Sequence, residues 1–296
     1  MTLANYFINL KRYVNGIPFL TSAEKFLVFG VILLISYSAR SQKGLEGIYV
    51  ETYYISDEKD STDILSGQHL PEGSVTYRIF ADLAPEYELQ MVYGTEGHAL
   101  SISTTTTFFN NYRGGFGKGN YISRVKLGEH TVPIDSWITV GATSQHHQGV
   151  PKHLDPDSSV IGGKYNDGGS ARIKGGLLVN DDPKAGIPLT KKDGFVEMPA
   201  PKVIFYNLEP EVFVKRKNQG LFYTEDGVYG VLEGVVGITE ENMVLLAQIT
   251  TDGELAFELN LQILAPYGGV ERFVAKNPDG SEFTHPELIY PSKPAN

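Results

Sequence analysis

Two clusters in this 296-residue chain have the residue types of metal ligands. Asp57, Asp60 and Asp63 stand at three-residue steps in Asp57-Glu58-Lys59-Asp60-Ser61-Thr62-Asp63. Calcium takes about six to eight hard oxygens in flexible geometry, so these carboxylates form a candidate calcium site with the Ser61 or Thr62 hydroxyls and backbone carbonyls. The stretch lacks the Asp-x-Asp-x-Asp-Gly order of an EF-hand, and a solvated acidic turn is the simpler explanation. His146, His147 and His153, with Asp155 and Asp157, form the densest imidazole cluster. Imidazole suits zinc, copper or nickel, and a carboxylate can complete such a site. No His-Glu-x-x-His spacing accompanies these residues, and an exposed polar loop is the alternative.

Nucleophile and acid–base motifs are weak, and no catalytic residue is assigned. There is no Gly-x-Ser-x-Gly elbow, and the chain has no cysteine. Gly115-Phe116-Gly117-Lys118-Gly119 lacks the spacing of a phosphate loop and reads as a turn. Glu51 with Glu258, or Glu240 with Glu241, would serve a glycosidase only if they met at about 5 Å or about 6.5–9.5 Å. Carboxylates on the solvent face of strands explain both pairs without chemistry. Tyr49, Tyr53, Tyr54, Tyr77, Tyr87 and Tyr93 offer a stacking platform for sugars or, more simply, half-buried strand aromatics. Thr104 to Thr107 read as β-forming residues with cross-strand threonine partners rather than an ice-binding array.

The chain that must position these groups is globular, with 41% hydrophobic and 20% charged residues. The absence of cysteine excludes disulfides, thiolate zinc sites and iron–sulfur clusters. With 25 basic and 35 acidic residues, a net charge of −10 and no basic block, a nucleic-acid partner is not expected.

The N-terminus reads as an address. Lys25 precedes an apolar run from Phe26 to Ile35, and Ala39-Arg40-Ser41 supplies a small-residue exit, the pattern of a secretory signal peptide. The run is shorter than the about 20 residues of a stable span. Residues 1–41 are therefore assigned as signal peptide with cleavage near Ser41/Gln42, and contact with a membrane runs only through this segment if it is uncleaved. Its removal takes away Lys11, Arg12, Lys25 and Arg40 against Glu24 alone, so the mature chain is the more acidic.

Beyond it the pattern is extended. Short β-branched and aromatic runs recur from Ile48 to Gly141 and again from Val203, with turn signals between them. The expected fold is all-β: an antiparallel β-sandwich, as one large body or two packed lobes, residues 42–143 and 195–296. Residues 144–194 are rich in Gly, Asp and Asn and read as a loop or linker. Two hairpins are expected. One turns at Asp226-Gly227. The other runs from Met243 through Thr251-Asp252-Gly253 into a return strand to Ile263. That strand alternates Leu255, Phe257, Leu259, Leu261 and Ile263 against polar neighbours.

Val50-Glu51-Thr52-Tyr53-Tyr54-Ile55, Val75-Thr76-Tyr77-Arg78-Ile79-Phe80 and Thr104 to Asn110 resemble a module of secreted Bacteroidota surface proteins. Asp135-Ser136-Trp137, Ala185 to Thr190 and Leu246 to Gly253 extend the resemblance over the mature chain. It implies a β-rich exported protein, secreted or at the cell surface, in the manner of type IX secretion cargo. Pro291 to Asn296 show no recognisable sorting tail, so a periplasmic location stays open. The expected function is a non-catalytic module for adhesion, extracellular structure or ligand binding, with a glycan or another surface protein as partner. A secreted carbohydrate-active enzyme or carbohydrate-binding module is the alternative.

Overall fold

β-Branched and aromatic runs become strands wherever Gly, Asp and Asn release the chain at their ends. The structure, a computed structural model, describes residues 43–62, 67–112, 116–123, 126, 131–145, 147–151, 153, 195–197, 201–208, 210–214 and 219–291. The signal segment 1–41 lies outside the described residues, as does 154–194. The first half supplies β1 (Leu45–Ile55), β2 (Val75–Leu83), β3 (Glu88–Tyr93), β4 (Leu100–Thr104), β5 (Trp137–Ile138), β6 (Ala142–Ser144) and β7 (His147–Gly149). Next come β8 (Phe195–Glu197), β9 (Ile204–Tyr206), β10 (Leu221–Thr224), β11 (Val228–Val235) and β12 (Met243–Thr251). The last are β13 (Leu255–Glu258), β14 (Leu261–Leu264), β15 (Val270–Val274), β16 (Phe283–Thr284) and β17 (Ile289–Tyr290). One four-residue helix, α1 (Glu58–Ser61), follows β1. Among the described residues no helix is long and apolar enough to cross a membrane.

The fold is all-β, several mostly antiparallel sheets packed together as in a β-sandwich. The sheets run β1-β2-β12-β5, β10-β4-β13-β17, β16-β15-β14-β3-β11-β9 and β6-β7-β8. Residues 42–143 and 195–296, left open as one large body or two packed lobes, contribute strands to the same sheets. β2 lies between β1 and β12, and β3 lies between β11 and β14, so both halves of the sequence share sheets. Gly44–Asn296 forms one unit. The physical reason is that a two-stranded ribbon cannot bury its apolar face alone and recruits whichever strand covers it.

Both expected hairpins are corrected on the same ground. β12 pairs with β2 and β5, not with the strand that follows it. The return strand is broken at Leu259-Asn260: β13 joins β4 and β17, while β14 joins β3 and β15. Its alternation holds, since Leu255, Phe257, Leu259, Leu261 and Ile263 are all buried. Asn260 is buried as well and bridges the break. The turn at Asp226-Gly227 likewise passes the chain from one sheet to another, because β10 pairs with β4 and β11 pairs with β3 and β9. Among the runs beyond Val203, Val212-Phe213-Val214 is expected as a short strand, but Glu211–Phe213 forms a 3-10 turn.

All nine residues of β12 are buried because its sheet is covered on both faces. One face of the sheet, with Ile79, Ala81 and Ile249, joins the larger core, and the other, with Tyr53, Phe80 and Leu245, joins a second core under Trp137. The second face is laced with polar groups. Arg78 is fully buried, its guanidinium carbon 3.5 Å above the Tyr53 ring, and its Nε donates to Gln248 Oε1 at 3.0 Å. Gln248 Nε2 donates in turn to the carbonyls of Pro133 (2.9 Å) and Asp135 (2.8 Å). The Thr250 hydroxyl donates to the Ile134 carbonyl at 2.5 Å and meets the Thr76 hydroxyl at 2.7 Å. These side chains fasten the 131–136 segment over the sheet.

Asp135 sits at the centre of that segment. Burial pushes its carboxyl well above the ordinary value, against the opposing pull of the Asn111, Ser136 and Phe116 amides. A carboxyl raised on folding adds stability below its unfolded pKa of about 3.9 and withdraws it as pH climbs towards the folded value. Asp135→Asn removes that titration. Urea melts at pH 4 and pH 7 are expected to show the variant gaining on the native chain as pH rises. Parallel profiles would show that the carboxyl ionises in the folded state as it does in the unfolded one.

Candidate ligand-binding groove

The six-stranded sheet turns alternate residues to its two faces. Phe205, Tyr229, Val92, Leu261 and Phe273 face the core. The opposite face is built of register rows. In one, Val228 lies opposite Tyr206 on one side and Tyr93 on the other. In the next, Gly230 separates Ile204 from Met91, and the row continues through Gln262 to Arg272. A Cβ on Gly230 would lie 2.3 Å from the Gln90 carbonyl oxygen, so only glycine permits this strand approach. Together the rows line a groove of about 450 Å³, with Asp226 beside β11 and Glu282 beside β16 also in its wall.

Its polar groups are held in a directed ladder. Arg272 Nε donates to Gln262 Oε1 at 3.0 Å, and Gln262 Nε2 donates to Gln90 Oε1 at 2.6 Å. Gln90 Nε2 donates to the Leu232 carbonyl at 2.8 Å. Both groove carboxylates are engaged by the protein. Asp226 accepts from Asn207 Nδ2 (2.7 Å) and the Thr224 hydroxyl (3.1 Å). Glu282 lies 3.1 Å from His98 Nε2 and accepts the Asp279 amide at 2.9 Å. The Tyr93 phenol is pushed up to about 12, chiefly by burial and then by Glu282, with Arg272 opposing. It is therefore a neutral wall at physiological pH.

The residues singled out in the sequence fall elsewhere, with one exception. Asp57 and Asp60 cap α1 reciprocally: Asp57 Oδ1 accepts the Asp60 amide at 3.1 Å, and Asp60 Oδ2 accepts the Asp57 amide at 3.0 Å. Asp60 Oδ2 also accepts the Tyr54 hydroxyl at 2.9 Å. Asp63 lies outside the described residues, as do His146, Asp155 and Asp157. His147 falls on β7. His153 is exposed, 3.1 Å from Glu241 and edge-on to Tyr49. Among the described residues no three His, Asp or Glu side chains converge as metal ligands.

Glu51 is buried opposite Arg78 in the β1–β2 register, whereas Glu258 stands in another sheet, paired with Lys276. Lys118 lies 4.3 Å over the Phe205 ring, and Gly119 opens a 3-10 turn (Gly119–Tyr121) rather than a helix of phosphate-loop type. Of the six tyrosines, Tyr53, Tyr54 and Tyr87 are buried, and Tyr93 alone lines the groove. Tyr206, 71% exposed, was not signalled by its short run, and Gln262 appeared only as the polar side of an alternating strand.

Fold and groove together define a class, an all-β unit with a surface groove on the outer face of its six-stranded sheet. No family model, curated protein or solved structure matches the chain.

Proposed function

We propose that the chain is an exported, non-catalytic β module, secreted or held at the cell surface, that binds a glycan through the outer-face groove in adhesion or extracellular structure. The observation that carries this reading is the row register. Tyr206 and Tyr93 stand two strands apart, about 10 Å by strand spacing, beside the planar polar groups of Gln262 and Arg272. Sugars offer apolar C–H faces and hydroxyl edges, and aromatic rings next to fixed amide and guanidinium groups answer both. The export part rests on the Phe26–Ile35 run, and the folded unit begins at Gly44, just beyond the expected cleavage point.

A glycosidase needs one carboxyl free to donate a proton and a second free to attack or to activate water. Asp226 has both oxygens engaged by protein donors, and Glu282 is held through Oε2 by His98 and the Asp279 amide, so the groove holds no pair of free carboxyls and favours binding over hydrolysis. The test is a glycan array on the full chain. Tyr206→Ala removes an exposed ring at no cost to the core and is expected to weaken binding about tenfold, the worth of about 1.4 kcal/mol of stacking. The bound glycan stays intact. Binding unaffected by Tyr206→Ala, the absence of any bound glycan, or glycan cleavage would overturn the reading.

A further inference from the structure

Of the charged groups in the groove, only Arg272 keeps donors to offer. Its Nε is held by Gln262, and Gln262 is oriented by Gln90, so the guanidinium plane is fixed from behind. Its terminal nitrogens have no partner among the described residues, while Asp226 and Glu282 are both engaged. The planar fork of arginine matches a carboxylate through two parallel hydrogen bonds, a fit that a neutral hydroxyl cannot repeat. The groove also continues. Asp226 is shared with a second hollow of about 360 Å³, where Leu221 (56% exposed) and Tyr223 (53% exposed) stand beside Asn207. Two hollows that share a wall residue suit a chain of sugar rings better than a single ring.

We propose that the groove receives a linear acidic polysaccharide, a polyuronate, with one uronate carboxylate on the Arg272 fork and neighbouring rings against Tyr206 and towards Tyr223. This rests on the glycan-binding reading and specifies its ligand. The net charge of −10 opposes a polyanion at long range. At physiological ionic strength that repulsion is screened within about 8 Å, and the contact at the pre-oriented fork decides.

The experiment is calorimetry on the full chain in physiological salt, with oligomers of polygalacturonate and polymannuronate and with their carboxyl-reduced neutral counterparts. At least one acidic oligomer is expected to bind about tenfold tighter than its reduced form. Arg272→Gln, an exposed substitution, abolishes that preference, weakening the acidic oligomer about tenfold more than its reduced form. Arg272→Lys restores it only weakly, because an ammonium lacks the fork. Reduced oligomers binding as tightly as acidic ones would overturn the polyuronate and leave the glycan module standing. Dextran sulfate binding as tightly as the uronates, with no response to Arg272→Gln, would mark unspecific polyanion capture and overturn it too. No binding by any of these or by an array of neutral glycans would remove both readings together.

Discussion

Replacing Gln248 by leucine is expected to lower the stability of the fold by about 4 kcal/mol. The side chain is fully buried between two strands of the β1-β2-β12-β5 sheet and the 131–136 segment. Leucine matches its bulk, so little of the loss comes from packing. What disappears is three hydrogen bonds: the acceptor for Arg78 Nε and the donors to the Pro133 and Asp135 carbonyls. Each buried group left unsatisfied costs about 1–3 kcal/mol, and the charged donor stands at the upper end. In a unit of this size the loss corresponds to a fall of roughly 8–16 °C in Tm. Urea melts and thermal scans of the variant measure it directly. A loss under about 1 kcal/mol would mean that the 131–136 cover is held by its apolar contacts alone.

That expectation could not be drawn from the sequence, although most of the strands could. The alternation of Leu255 to Ile263 is local information, because a strand places successive side chains on opposite faces wherever it pairs. The strand's partner is not local. Thr251-Asp252-Gly253 has the chemistry of a hairpin turn, yet the next residues leave for a different sheet. The threonines at the turn bond instead to those of the β4 end: Thr251 Oγ1 lies 2.7 Å from Thr104 Oγ1 and 3.0 Å from Thr106 Oγ1. Cross-strand threonine pairing was legible in composition, but the strand that would answer it was not.

The groove was less legible still. Its rows draw on β9, β11, β3, β14 and β15, spread from Met91 to Arg272, and a binding face arises only when their registers align. Tyr93 carried a signal as one of the strand tyrosines of the first half, closing the run Glu88–Tyr93. Arg272 carried none, since its meaning depends on Gln262 and Gln90 lying beside it. The aspartates at 57 and 60 show the converse. Their spacing suggests ligands, but it is also the spacing of a capping pair, and the local helix turn puts each carboxylate on the other's amide.

Asn260→Leu is expected to cost about 3–5 kcal/mol and to disturb the groove with the fold. Asn260 is fully buried where the expected return strand breaks. Its Nδ2 donates to the carbonyls of Tyr93 (3.1 Å), His98 (3.0 Å) and Ala99 (3.0 Å), and its Oδ1 accepts the Ala275 amide at 3.1 Å. Its two N–H donors are shared among three carbonyls, so one side chain ties together four backbone groups from the end of β3, the loop before β4 and the end of β15. Leucine leaves the Tyr93 and Ala99 carbonyls and the Ala275 amide without that partner, a penalty of about 1–3 kcal/mol each that solvent and local rearrangement relieve in part, while the His98 carbonyl keeps the Thr95 amide. The same carbonyls position Tyr93, which lines the groove, and His98, which holds Glu282. Hydrogen exchange is therefore expected to speed up first at the amides of Tyr93, His98 and Ala275, ahead of the β1-β2-β12 core, because openings are local where contacts are few. Loss spread evenly over all sheets would instead make Asn260 a uniform contributor to stability, without a particular hold on the groove.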